Sequence, residues 1–304
     1  MPIGTERLNE IVSYYSENGE SETLKKYNTV SAESLHRYLR NKRFLETKIP
    51  KILLFDIETS PCVVYSWGLG KQRLSYENLI EEWCIIAWSA MWLNETTVMG
   101  DVLTPEEATK KDDLRIVKSL LKLINDADVL IAHNGRKFDV PRVMGRAIMH
   151  KLPPTSSYHI IDTLEAAKKV KFTSNRLDYL GSVLSGEGKI KTTFDLWLKC
   201  LHGDNDALNE MLTYNKKDVL VLKEFYLLIR PYIKSHPNVA LMSEINGSAC
   251  PVCGSTEFEE IGDYITQANK YDEFRCIGCG HIFHSPHSNL TTVQRKQLMR
   301  SNAR

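Results

Sequence analysis

No stretch of this chain reaches the roughly 18 uninterrupted apolar residues that a membrane-spanning helix needs. Its first residues, Met1-Pro-Ile-Gly-Thr-Glu6, lack the basic-then-apolar layout of a secretory signal. These absences exclude a membrane partner and imply a cytosolic setting, that of a bacterium or of a virus-infected host cell. Net charge is equally scarce: 39 Lys and Arg against 38 Asp and Glu leave +1. That excludes global attraction to a polyanion and confines nucleic-acid binding to local basic patches. Cysteine is sparse outside one late group. Cys62, Cys84 and Cys200 stand without a nearby base or second ligand and read as small core hydrophobes, and a reducing compartment disfavours disulfides. What is present, 304 residues at 42% hydrophobic and 25% charged, suits one large core with small appended modules.

Four pieces follow from the patterning. Residues 1–46 read as three short helices. Leu8, Ile11, Val12 and Tyr15 recur at helical spacing, Asn18-Gly19 breaks the run, and Leu24 and Tyr27 belong to a second helix. Ser31 is an N-cap for a third helix whose stripe is Leu35, Tyr38 and Leu39 and whose other faces carry Arg37, Arg40, Lys42 and Arg43. This segment resembles a helix-turn-helix DNA-binding module, and reads equally as a charged helical cap. Residues 47–235 alternate strands and helices: strands at 51–57, 128–132 and 159–161, a hairpin from 83–93 into 96–99 around Asn94-Glu95, and a helix over 114–124. Hairpin-linked early strands, followed by strands separated by helices, predict an α/β ribonuclease H-like mixed sheet flanked by helices. The aromatic, Gly-containing segment 62–82 has no assigned place.

The chemistry lies in acids at particular spacings. Asp56 and Glu58, two apart on a strand that reads as buried on both faces, share one side near the strand's end at Thr59-Ser-Pro61. Tyr214 and Asp218, four apart, share one helix face. Asp139 follows Phe138 at the start of a helix. Taken singly, each fits a solvated turn, a surface helix residue or an N-cap. Carboxylates gathered at the end of one sheet stay charged only with cations among them, so the set reads as a holder of divalent metal.

In order, Phe55-Asp-Ile-Glu58, His133-Asn-Gly-Arg-Lys-Phe-Asp139 and Tyr214-x-x-x-Asp218 resemble the three motifs of the tyrosine-type DEDD exonucleases, most like the proofreading domains of family B DNA polymerases. Ile161-Asp-Thr163 and Leu177-Asp-Tyr-Leu-Gly181 are weaker likenesses. The chain has no room for a polymerase domain. The resemblance implies two-metal-ion hydrolysis at the 3' end of DNA, with Asp56, Glu58, Asp139 and Asp218 holding two Mg2+ or Mn2+ ions and Asp56 bridging them. Tyr214 would aim the attacking water, its ordinary pKa of about 10 making it a poor base. Thr59 and Asn134 would contact the terminal nucleotide. Trimming of RNA, or a non-catalytic DNA-binding regulator on the same scaffold, are the alternatives; retention of all four acids and the tyrosine favours an enzyme.

Residues 246–288 carry Cys250-Pro-Val-Cys253-Gly and Cys276-Ile-Gly-Cys279-Gly, two knuckles 22 residues apart. Glycine after each pair permits the tight turn that brings two thiolates to one ion, and four cysteines predict one structural Zn2+. With only Phe258, Ile261, Tyr264, Ile265 and Phe274 to bury, this segment needs its metal to fold. It resembles a zinc ribbon, a module that touches nucleic acid or protein. His281, His284 and His287 read as surface histidines. Residues 289–304 read as a basic tail.

Overall fold

Apolar side chains on both sides of the strand Ile52–Thr59 (β1) force it into the middle of a sheet: Leu53, Leu54 and Phe55 are wholly buried and Ile57 nearly so. Each such side chain contributes about 1.5–3 kcal/mol on burial. The strand belongs to a compact unit that includes residues 50–237, in a computed structural model that describes residues 10–11, 14–15, 21–27, 50–68, 70, 72–185, 193–243 and 247–299. The following strands are β2 (Val63–Val64), β3 (Leu79–Glu81), β4 (Ile85–Trp92), β5 (Met99–Val102), β6 (Val129–Ala132) and β7 (His159–Asp162). The helices are α1 (Pro105–Lys110), α2 (Leu114–Asp126), α3 (Asp139–Met149), α4 (Thr163–Val170), α5 (Leu177–Ser185), α6 (Phe194–Leu201) and α7 (Asn205–Ile229).

Five strands form one sheet in the order β5-β4-β1-β6-β7. The β5-β4-β1 half is antiparallel and the β1-β6-β7 half parallel, as the hairpin-then-crossover pattern requires. This is the mixed, helix-flanked sheet of a ribonuclease H-like α/β fold. The long helix α7 packs on β4, β1 and β5. Its buried stripe runs Ala207, Met211, Tyr214, Leu222, Phe225, Ile229, and Asp218 falls in the same helical series. Segment 62–82 holds the antiparallel pair β2-β3, a short hairpin inserted between β1 and β4. Cys84 and Cys200 are buried as core hydrophobes, but Cys62, at the start of this insertion, is exposed instead.

A buried ion network ties this unit together. Asp113 accepts from Arg146 at 2.7 Å on each carboxylate oxygen, and also from His150 Nε2 and the backbone N–H of Ile85. Removing Arg146 would strand a fully buried carboxylate, a loss of about 3–5 kcal/mol.

At the N-terminus, residues 21–26 are helical, and Ile11 and Tyr27 pack with Tyr14, Tyr15 and Leu24. The expected third helix over 31–43, and with it most of the helix-turn-helix likeness, lies outside the described residues. Near the C-terminus, β8 (Phe258–Ile265), β9 (Lys270–Cys276) and β10 (Ile282–His284) form a separate sheet of order β10-β9-β8. Here the expected apolar core is thinner than the sequence implies: Ile265 is 71% exposed, Ile261 and Tyr264 also face solvent, and Phe258 and Phe274 meet edge to face, half-buried. Part of the basic tail is a short helix, α8 (Thr292–Gln297), because Thr291 and Gln294 form a reciprocal capping box. Among the described residues, no helix is long and apolar enough to cross a membrane.

Candidate active site

Three carboxylates meet where β1 ends against α7. Asp56, Glu58 and Asp218 each offer an oxygen, and these oxygens lie within 4.8 Å of one another. β1 supplies the first two from one face, and the series Tyr214, Asp218 on α7 aims the third at them. Asp139 stands behind the trio rather than in it. It is 1% exposed, and its Oδ1 accepts the backbone N–H of Ile57, between the two β1 acids, at 3.2 Å.

The electrostatics follow from this crowding. Burial first, then the charges of Asp139, Glu58 and Asp218, push the Asp56 carboxyl well above the ordinary carboxylate range, against a hydrogen bond from Asn215. Burial likewise pushes Asp139 up to about 7, against two backbone N–H groups that favour its charged form. Burial and the charge of Asp218 raise the Tyr214 phenol, whose hydroxyl hydrogen-bonds that carboxylate. The Tyr214 proton therefore stays in place, and the hydroxyl serves to orient. Like charges this close are tolerable when a divalent cation shares them, and an all-oxygen donor set matches Mg2+ or Mn2+.

The loop carrying the second motif is built by backbone, not by its own side chains. Asn134 adopts a left-handed conformation, φ 72°. A Cβ on Gly135 would stand 2.5 Å from that of Ala132, so only glycine fits there. Asp162, buried and N-capping α4, accepts backbone N–H groups of Asn134, Arg136, Leu164 and Glu165. That carboxylate is a scaffold for the turn that delivers Asp139.

The acids open on a cavity of about 490 Å³, lined on one side by Asp56, Glu58, Tyr214 and Asp218 and on the other by His133, Phe138, Leu164 and residues 175–178. Thr59 and Asn134 are not among the lining residues. His133 holds the second wall together: its Nε2–H donates to the Asn175 carbonyl at 2.8 Å, which leaves Nδ1 to accept from the Thr163 hydroxyl at 2.9 Å. Burial lowers its pKa and keeps the ring neutral. Sequence reasoning missed Asn215 and the Asn175-Arg176 part of the wall, whereas Leu177 and Asp178 begin the Leu177-Asp-Tyr-Leu-Gly181 likeness. Asn215 is a buried amide in the apolar stripe of α7, a position where a polar residue signals a fixed partner.

Elsewhere, the sulfurs of Cys250, Cys253, Cys276 and Cys279 lie within 4.8 Å of one another, with 3.5 Å between Cys253 and Cys276. Tetrahedral Zn2+ with bonds of about 2.3 Å sets sulfurs about 3.8 Å apart, so the cluster fits that ion. Cys250 and Cys276 are buried while Cys253 and Cys279 are half-buried, and none of the four is in a disulfide.

A family model described as the RNase_H superfamily matches residues 85–229, a span holding Asp139, Tyr214 and Asp218. No curated protein matches the chain. The matched span and the mixed sheet agree on a ribonuclease H-like fold for this unit, which suggests nuclease-type activity.

Proposed function

We propose that the chain is a metal-dependent 3'-5' exonuclease of the tyrosine-type DEDD class, acting on DNA. The observation that carries this reading is the approach of Asp56, Glu58 and Asp218 to within 4.8 Å, with the Tyr214 hydroxyl on Asp218. Residues separated by up to 162 positions have no folding reason to pool negative charge in a half-buried site.

Two Mg2+ or Mn2+ ions, when bound, would supply a water of lowered pKa and charge stabilisation for the leaving 3' oxygen. Asp56, Glu58 and Asp218 are the holders that face the cavity, and Asp139, behind them, completes the set. Asn215 fixes the rotamer of Asp56 and the Ile57 N–H fixes that of Asp139. Tyr214 keeps its proton and hydrogen-bonds the attacking water beside Asp218. The wall of Phe138, Leu164 and Leu177 gives the terminal nucleoside an apolar bed, and Thr59 and Asn134 are peripheral contacts. The cysteine cluster holds one structural Zn2+, and the N-terminal 1–46 and C-terminal 246–288 modules and the basic 289–304 tail serve to target the polynucleotide.

The test is degradation of 3'-labelled DNA and RNA of matched sequence, titrated with Mg2+ and Mn2+. Stepwise release of mononucleotides from the 3' end, faster on DNA, is expected. Release from RNA alone moves the reading to RNA trimming, and absence of metal-dependent hydrolysis on both removes it.

A further inference from the structure

The β2-β3 hairpin between the two central strands shows a pattern that core packing does not explain. Tyr65 is 74% exposed, Tyr76 85% and Trp67 fully so, and Arg73 of the same segment is also exposed. Large aromatic rings are ordinarily withdrawn from water, and several left in it on one short insertion mark a binding surface.

The hairpin is anchored at the mouth of the acid cavity. It leaves β1 directly after Glu58 and Thr59, and its base is closed where Ser60 N–H donates to the Cys84 carbonyl and Cys84 N–H to Ser60 Oγ, both at 2.9 Å. Its returning end places the Trp83 ring under the Arg142 guanidinium at 4.2 Å. The same guanidinium lies 5.2 Å from the ring of Phe138, which lines the cavity. The base is thus one cation–π stack away from the cavity wall.

We propose that Tyr65, Trp67 and Tyr76 form a stacking platform for single-stranded nucleic acid, receiving the bases upstream of the 3' nucleotide held in the cavity. Unpaired bases offer flat π faces of any sequence, which exposed aromatic rings take without hydrogen-bond readout, and Arg73 adds a phosphate contact. The platform sits on the hairpin, so bases beyond the first few would meet it while the terminal nucleotide would not. The assignment rests on the exonuclease reading only for the identity of what fills the cavity.

The test uses the full chain without divalent metal, so that binding is read apart from hydrolysis. Fluorescence anisotropy would follow a labelled single strand of about a dozen nucleotides and one of about three, with wild type and with the Tyr65→Ala, Trp67→Ala, Tyr76→Ala triple variant. Loss of one stacked base corresponds to about tenfold in Kd, so the triple variant should bind the long strand at least about tenfold more weakly and the short strand as wild type. Quenching of tryptophan emission by the long strand should vanish in Trp67→Phe. Hydrolysis of thymidine 5'-p-nitrophenyl phosphate with Mn2+ reads the acid site alone and should be unchanged in both variants. Equal weakening on both strands, or none, overturns the platform. Wild-type self-association that the triple variant abolishes, without strand binding, overturns it in favour of a second copy. Failure of the ester hydrolysis alone strikes the exonuclease reading instead.

Discussion

The side-chain amide of Asn215 donates to Asp56 Oδ2 at 2.6 Å, joining α7 to β1 across 159 residues. Asn215 is wholly buried and immediately follows Tyr214, and its own Oδ1 has no hydrogen-bond partner among the described residues. The amide therefore spends its donor on one carboxylate and sets which way the central acid of the cluster faces.

Asn215→Ala should lower metal-dependent hydrolysis by about 10- to 100-fold, since hydrogen bonds to charged groups are worth about 1.5–3 kcal/mol. The concentration of Mn2+ giving half-maximal rate should rise with it. Steady-state rates across a Mn2+ titration check this, and unchanged values would sink the role.

Asp56→Asn and Asp218→Asn should abolish Mg2+-dependent mononucleotide release. Each removes like-charge repulsion, so the metal-free variants should melt higher than wild type by calorimetry. A loss of activity accompanied by a lower Tm would instead indicate a folding defect. Tyr214→Phe keeps the ring and loses only the orienting hydroxyl, so it should retain measurable turnover, about 10- to 100-fold reduced.

Much of this site was legible because its residues break local rules. Acids at the end of the doubly buried β1, and Tyr214 and Asp218 inside the apolar stripe of α7, are costly unless they share a task. The mixed sheet was equally legible, since β4 and β5 flank a short polar turn and β6 and β7 are separated by a helix. Asn215 escaped because a neutral amide carries no metal-binding signature. Asn175 escaped because its contact with His133 is a backbone carbonyl, which any residue supplies. The hairpin escaped because a two-residue strand pair has no periodicity to read.

Metal dependence should couple to pH. Asp139 goes from an ordinary 3.8 to about 7 in the fold, and Asp56 shifts the same way. Between these values the native state binds more protons than the unfolded chain, so metal-free stability should fall as pH rises through this window. Mg2+ binds the deprotonated site, so the rise in Tm that it causes should grow over the same window. Thermal melts with and without Mg2+ at several pH values check this; a pH-independent difference would contradict it.

Loss of zinc should unfold one sheet alone. The β8-β9-β10 segment buries little beyond Val252, Cys250 and Cys276, so removing Zn2+ or substituting Cys253→Ser should unfold it. The five-stranded core does not contain these ligands and should keep its helical signal. Metal analysis should return one zinc per chain, and circular dichroism with limited proteolysis locates the loss.

The distance along the chain between Asp56 and Asp218 has a consequence in time. During synthesis, β1 leaves the ribosome with two acids while α7 is still untranslated, and the final donors are made only after all five strands of the sheet. A nascent or prematurely ended chain lacking α7 carries Asp56 and Glu58 without the Asp218 that completes the carboxylate cluster. On the proposed reading, hydrolytic activity is thereby withheld until translation of this domain is nearly finished.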